Sequence, residues 1–108
     1  MSIIVRDYRG TEVVILYVLY HHVRRRHRDF LKRLNIQSLD QFINIIKRVL
    51  VSPSEVYVDD KGSIYYLLKT NNFYLNVVVA EGVVRTVYLL GMDSYYRMRY
   101  RRWRIKIY

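Results

Sequence analysis

Apolar and polar residues in the second half of the chain follow the short alternating or β-branched pattern that is typical of strands. The segments with this pattern are residues 55–59, 63–69, 73–80 and 83–90. Only two or three residues, all of them polar or glycine, separate each segment from the next. Links this short join antiparallel neighbours, so the pattern predicts a four-stranded antiparallel meander.

The first half predicts two helices, because its apolar residues recur every three or four positions. The first covers residues 17–34, and the second begins after Ser38 and ends before Pro53. Ser38 and Gln41 have the spacing of a capping box, whose side chains satisfy free backbone amides, and proline cannot continue a helix. Short β-prone segments at residues 3–6 and 12–16 precede both helices.

The C-terminal segment is basic and aromatic. Its first part predicts one or two helical turns capped by Ser94, and its end alternates apolar and basic residues as an edge strand does. The apolar members of that alternation are Trp103, Ile105 and Ile107. The chain is therefore predicted to be one α+β domain, residues 1–108. Two N-terminal helices would pack on one face of a four-stranded antiparallel meander, with short N-terminal strands and a basic C-terminal helix and strand tail.

The net charge of +10 is concentrated at the two ends of the chain. Residues 1–34 carry +5 and residues 95–108 carry +6, whereas residues 35–94 carry −1. Basic patches attract polyanions, and aromatic residues between the arginines can stack on bases. RNA is therefore the first predicted partner, and DNA is the second.

Several classes of protein are disfavoured by what the sequence lacks. Cysteine is absent, which removes disulfides, thiolate metal sites and a cysteine nucleophile. The longest apolar run has eight residues, which is too short to cross a bilayer, and no signal-peptide pattern occurs. We therefore expect a soluble cytoplasmic protein without membrane insertion. No metal-ligand spacing and no nucleotide-binding glycine motif occur, so neither a metal nor a cofactor is predicted.

The densest chemistry lies in residues 21–28, which contain all three histidines and four arginines. On a helix, His27 falls on the apolar face, and His22 and Arg26 form an edge beside it. Histidine exchanges protons near neutral pH, and arginine binds phosphate oxygens. His22 and His27 are therefore candidate acid and base groups for phosphodiester cleavage, with Arg26 as the phosphate clamp. A hydrogen-bonded core histidine is the other interpretation of His27, and helical spacing leaves both open.

Basic residues at both ends of the chain are predicted to contact nucleic acid. The candidate binding residues are Arg24, Arg25, Arg28, Arg97, Arg99, Arg101, Arg102, Arg104 and Trp103. They define an alternative function, a non-catalytic RNA- or DNA-binding module whose tail supplies the affinity. A third interpretation is a protein whose basic faces are covered by an acidic partner, such as an inhibitor or antitoxin.

The motif His22-Val23-x-x-Arg26-His27 is followed by a helix that ends before Pro53 and by strands at residues 76–79 and 84–88. This order resembles the barnase–EndoU–colicin–RelE-like ribonucleases, especially their small phage-type branch. The resemblance covers residues 12–90 and leaves 91–108 as a basic aromatic tail. It implies N-terminal helices on a four-stranded meander and metal-independent, toxin-like cleavage of RNA. It also implies that Arg26, His27, Thr86 and Tyr88 line one cleft.

Overall fold

The computed structural model of the chain describes residues 1–108 and contains seven strands and four helices. In chain order these are β1 (Ser2–Arg6), β2 (Glu12–Leu16), α1 (Val18–Arg26), α2 (Arg28–Arg33), α3 (Leu39–Val51), β3 (Glu55–Asp59), β4 (Ile64–Lys69), β5 (Tyr74–Ala80), β6 (Val83–Leu90), α4 (Met92–Arg101) and β7 (Trp103–Lys106). All seven strands form one sheet in the order β1-β2-β6-β5-β4-β3-β7. The predicted α+β class is confirmed. None of the four helices is long and apolar enough to cross a membrane.

Four consecutive strands, β3 to β6, pair antiparallel in the sheet. The sheet is larger than the predicted meander, because strands from both ends of the chain extend it. β2 joins β6 through one parallel pair, Val14 with Val83, and β7 pairs antiparallel with β3. β7 thus satisfies backbone groups along the β3 edge of the meander, whereas β2 covers only the start of the β6 edge.

Three helices cover one face of the sheet and enclose the main core. The second predicted helix is α3, where Ser38 Oγ accepts a hydrogen bond from the Gln41 amide at 3.2 Å. The fully buried members of this core include Val23, Phe30, Phe42, Ile46, Leu50 and Val77. Burial of one apolar stripe per helix fixes the helices against the sheet.

The first predicted helix, residues 17–34, is wrong as a single element. It is broken at His27, whose backbone (φ −134°, ψ 56°) lies outside the helical region and separates α1 from α2. The break allows Val23 of α1 and Phe30 of α2 to enter the same core, each with 0% exposure. Burial of these two side chains outweighs the continuation of a basic helix, since tertiary packing supplies most helical stability.

A second cluster packs on the opposite face of the sheet. There Tyr95 of α4 stacks on Tyr74, and Trp103 of β7 stacks on Tyr57, with ring centroids 4.2 Å and 4.4 Å apart. The N-terminal helices lie on one face of the sheet, as predicted, and the C-terminal helix α4 covers part of the other face. Sequence pattern does not encode which face a C-terminal helix covers, since that depends on partners far away in the chain.

Candidate functional site

His27 and Tyr88 meet at the outer side of β6. Past Val83 no strand pairs with that side of β6, and α1 and α2 lie beside it instead. The imidazole of half-buried His27 stacks on the phenol ring of Tyr88, with centroids 5.7 Å apart and ring planes 30° apart. The break between α1 and α2 thus puts a titratable ring from the basic stretch in contact with the last strand of the meander.

The surroundings of His27 lower its pKa from the ordinary value of 6.5. Burial is the largest cause, because it disfavours the charged ring, and the positive charges of His22 and Arg26 act in the same direction. Asp29 opposes them. A lowered pKa leaves the ring neutral at neutral pH, and a neutral imidazole can accept a proton.

His22 and Arg26 lie beside His27 on the exposed side of α1. The centroids of the His22 and His27 rings are 6.2 Å apart, and the ring planes are 67° apart. His22 and Arg26 also line one cavity of about 290 Å³, together with Arg25. This cavity brings the His22 ring and two guanidinium groups together, and His27 adjoins it through the His22 ring without lining it.

Tyr88 also forms part of a second, larger cavity on the α4 face of the sheet. This cavity has a volume of about 410 Å³. Tyr88 and Leu90 lie on one side, and Ser94, Arg97, Met98 and Arg101 lie on the other. Burial raises the pKa of the Tyr88 hydroxyl, while the charge of Arg102 and the nearby Asn76 amide oppose that rise. The Tyr88 side chain therefore links His27 to an arginine-lined cavity.

Thr86 and Asn76 lie beneath this site on the same side of the sheet as Tyr88. Thr86 Oγ1 is buried without a hydrogen-bond partner, and Thr86 does not line either cavity described above. Asn76 lies directly opposite Tyr88 on β5, is 0% exposed, and has no partner for either amide atom. Buried polar groups without partners are uncommon in folded proteins, and in the sheet only Trp103 Nε1 shares this property with Thr86 and Asn76.

Three of the predicted nucleic-acid-binding residues form a basic surface on α1 and α2, which adjoins the cavity of His22 and Arg26 through Arg25. Arg24, Arg25 and Arg28 are exposed and line an open cavity of about 410 Å³. None of them forms an ion pair, since the single salt bridge of the chain joins Arg6 to Glu12 at 3.9 Å. Their charges remain available to an external anion.

The predicted binding residues of the tail separate into different environments. Arg97, Arg101 and Arg102 line the cavity beside Tyr88. Arg104 lines another cavity, of about 460 Å³, which Arg101 and Arg102 also border and which contains Asp59 and Asp60. Arg99 lies near the hydroxyls of Tyr57 and Tyr95, whose negative charge when ionised raises the pKa of Arg99. Only the first group combines free positive charge with the Tyr88 ring.

Trp103 does not fit its predicted role in base stacking. The indole is buried, with 5% exposure, and its face is covered by Tyr57 with a ring separation of 4.4 Å. A buried ring with a covered face has no surface to offer a base. The alternation that predicted an edge strand was correct for β7, and the same alternation turns Trp103 towards the sheet.

A cluster of tyrosines around Glu55 is not predicted by the sequence pattern. The hydroxyls of Tyr57 and Tyr95 both donate to Glu55 Oε1. Burial would raise the pKa of Glu55, but these hydrogen bonds and the nearby Tyr74 hydroxyl outweigh it, so the pKa lies below its ordinary value of 4.5. The available signal was local, because Glu55 and Tyr57 are two apart in a strand and share a face.

No group of three or more histidine, cysteine, aspartate or glutamate side chains is arranged to hold a metal ion. The chain matches no protein-family model, no curated protein and no solved structure.

Proposed function

We propose that this protein is a metal-independent endoribonuclease that acts at the contact between His27 and Tyr88. The observation that carries the proposal is the stacking of the His27 ring on Tyr88, 5.7 Å between centroids, with the His22 ring 6.2 Å away. Two imidazoles and adjacent arginines can supply the general base, the general acid and the positive charge that cleavage of RNA by its own 2′-hydroxyl requires.

In the proposed reaction, neutral His27 removes the proton of the 2′-hydroxyl. The 2′-oxygen then attacks phosphorus, and the bond from phosphorus to the 5′-oxygen breaks. Protonated His22 gives its proton to the leaving 5′-oxygen, so that the products are a 2′,3′-cyclic phosphate and a 5′-hydroxyl. Arg26 stabilises the extra negative charge on the phosphorane, because its guanidinium stays charged and can bind two oxygens.

The direction of the His27 pKa supports this division of roles. Burial and neighbouring positive charge keep His27 neutral, as a general base requires. His22 is exposed on α1, where it can bind a proton from solvent after each turnover. Tyr88 orients the His27 ring through its stacked contact. The Thr86 hydroxyl is buried, so Thr86 contributes only to the strand β6 that positions Tyr88.

A non-catalytic nucleic-acid-binding module is the second candidate function. It is favoured by α4, where exposed Tyr96 and Tyr100 lie among exposed arginines. Such a surface can stack on bases and neutralise phosphates without any proton transfer. It predicts binding of RNA or DNA that weakens steeply with salt and leaves the polymer intact.

Cleavage of labelled RNA in the presence of a chelator tests the proposal. His27→Ala is expected to lower the cleavage rate by roughly 10²–10⁴-fold, because it removes the general base. Arg48→Ala, prepared identically, is the matched control, since Arg48 is exposed on α3 and lines none of the cavities described above. Equal rates in the two variants, or intact RNA of every type with the wild-type chain, would exclude the proposed reaction. Intact but tightly bound RNA would support the binding module.

A further inference from the structure

The cavity between β6 and α4 has no role in the proposed proton transfers, although Tyr88 borders it. It has a volume of about 410 Å³, and the cavities that bind small molecules commonly span about 300–1,000 Å³. Its position is adjacent to the proposed cleavage site, because the Tyr88 ring that lines it also stacks on His27. Anything bound there would lie next to the phosphate that is cut.

The arginines of this cavity are largely free of internal partners. Arg97 donates to Ser94 Oγ at 3.2 Å, and neither Arg97 nor Arg101 is paired with a carboxylate. The charge of Arg102 partly interacts with Asp59, because Arg102 lies close enough to lower the pKa of that carboxyl. Two unpaired guanidinium groups at one cavity attract a group with several anionic oxygens, and their planar shape suits phosphate.

The rest of the cavity suits a flat apolar ring. Leu90 and Met98 offer aliphatic and thioether surface, and Tyr88 adds part of an aromatic ring. Methionine adapts to the edges of aromatic rings, and nucleobases stack on tyrosine. The cavity therefore presents phosphate-binding groups beside a base-binding surface, which is the combination that a nucleotide requires.

We propose that the α4 cavity binds one nucleotide of a single-stranded RNA, adjacent to the nucleotide whose phosphate lies at His27. Arg97 and Arg101 hold its phosphate, and its base lies against Met98 and Leu90. A base held in a duplex is stacked and paired on its edges, so only an unpaired nucleotide can enter the cavity. The proposal rests on the proposed function in taking RNA as the polymer, but the binding itself does not require cleavage.

Isothermal titration of the full chain with the four ribonucleoside 5′-monophosphates, and separately with inorganic phosphate, tests this site. At least one monophosphate is expected to bind about tenfold or more tightly than inorganic phosphate, because the base adds contacts. The double variant Arg97→Ala/Arg101→Ala should weaken that binding by at least about tenfold. The variant Arg97→Lys/Arg101→Lys keeps the charge but loses the planar guanidinium groups. Its affinity for the monophosphate should therefore lie between that of the wild type and that of the double alanine variant.

The matched control is Arg6→Ala/Arg48→Ala, which removes the same charge from exposed positions on β1 and α3. It should bind the monophosphate within about twofold of the wild type, since it changes only the long-range field. Equal binding of inorganic phosphate and monophosphates, or an equal loss in the control, would overturn the nucleotide site. These results are independent of the cleavage assay: cleavage without nucleotide selectivity refutes only this site, and selective binding without cleavage refutes only the proposed function.

Discussion

Tyr95 packs α4 against the sheet, and α4 carries Arg97 and Arg101 of the α4 cavity. Replacement of Tyr95 therefore measures how much this contact stabilises the position of α4. The side chain is 3% exposed, its ring lies 4.2 Å from that of Tyr74 at an angle of 7°, and its hydroxyl donates to Glu55. Removal of a buried aromatic side chain costs about 3–5 kcal/mol. We therefore expect Tyr95→Ala to lower the free energy of unfolding by about that amount, a large part of the roughly 5–15 kcal/mol that holds a domain together.

A second variant separates the ring from the hydroxyl. Tyr95→Phe keeps the stacked ring and removes one hydrogen bond to a carboxylate, which is worth about 1.5–3 kcal/mol. Glu55 keeps its bond from the Tyr57 hydroxyl, so the lower end of that range is expected. The difference between the alanine and phenylalanine variants then gives the contribution of ring packing.

Equilibrium unfolding in urea gives these values directly. Fluorescence of Trp103, the only tryptophan, reports the second cluster, and far-ultraviolet circular dichroism reports the whole chain. Coincident transitions would show that α4 unfolds together with the sheet. Tyr100→Ala is the control on the same helix, since Tyr100 is 83% exposed and its loss should cost no more than about 0.5 kcal/mol. If Tyr95→Ala were as stable as this control, the packing of α4 on the sheet would be refuted.

Two further predictions concern pH. The folded pKa of Glu55 lies below 4.5, so Glu55 contributes stability above pH 4.5 that is lost as the pH falls towards the folded pKa. Urea titrations at about pH 3–5 should show this loss in the wild type and a smaller loss in Tyr57→Phe, whereas identical losses would contradict it. The pKa of His27 lies below 6.5, so cleavage should fall with decreasing pH only below that value, as the base becomes protonated. Proton NMR should give the same midpoint for the His27 ring and a lower one in Asp29→Asn; a wild-type midpoint above 6.5 would exclude His27 as a base of this kind.

Local signals in the sequence determined most of the sheet. The strand at residues 55–59 and the turn after it have clear signatures, and Gly62 adopts the positive φ of 85° that such a turn favours. The N-terminus of α3 was equally readable, because Ser38 and Gln41 act within one helical turn. In these segments the deciding contacts lie within a few residues, so the pattern alone was sufficient.

Contacts between distant residues determined what the sequence pattern missed. The break between α1 and α2 at His27 depends on the burial of Phe30 in a core to which α3 and the sheet also contribute. The position of α4 depends on the hydrogen bond between Tyr95 and Glu55, which are 40 residues apart. Only the family resemblance predicted that His27 and Tyr88 line one cleft, because helical spacing permits a core histidine as readily. The assignment of these residues to catalysis stays a prediction.

The interruption at His27 also determines when the two imidazoles first come together. α1 has nine residues and α2 has six, whereas an isolated helix needs roughly 12–15 residues to persist in water. Neither helix is therefore stable until Val23 and Phe30 are buried. In a newly synthesised or partly unfolded chain, the distance between the His22 and His27 rings is therefore not fixed. The chemistry proposed for this site would thus arise only with closure of the core, and any disturbance that opens the core would remove it.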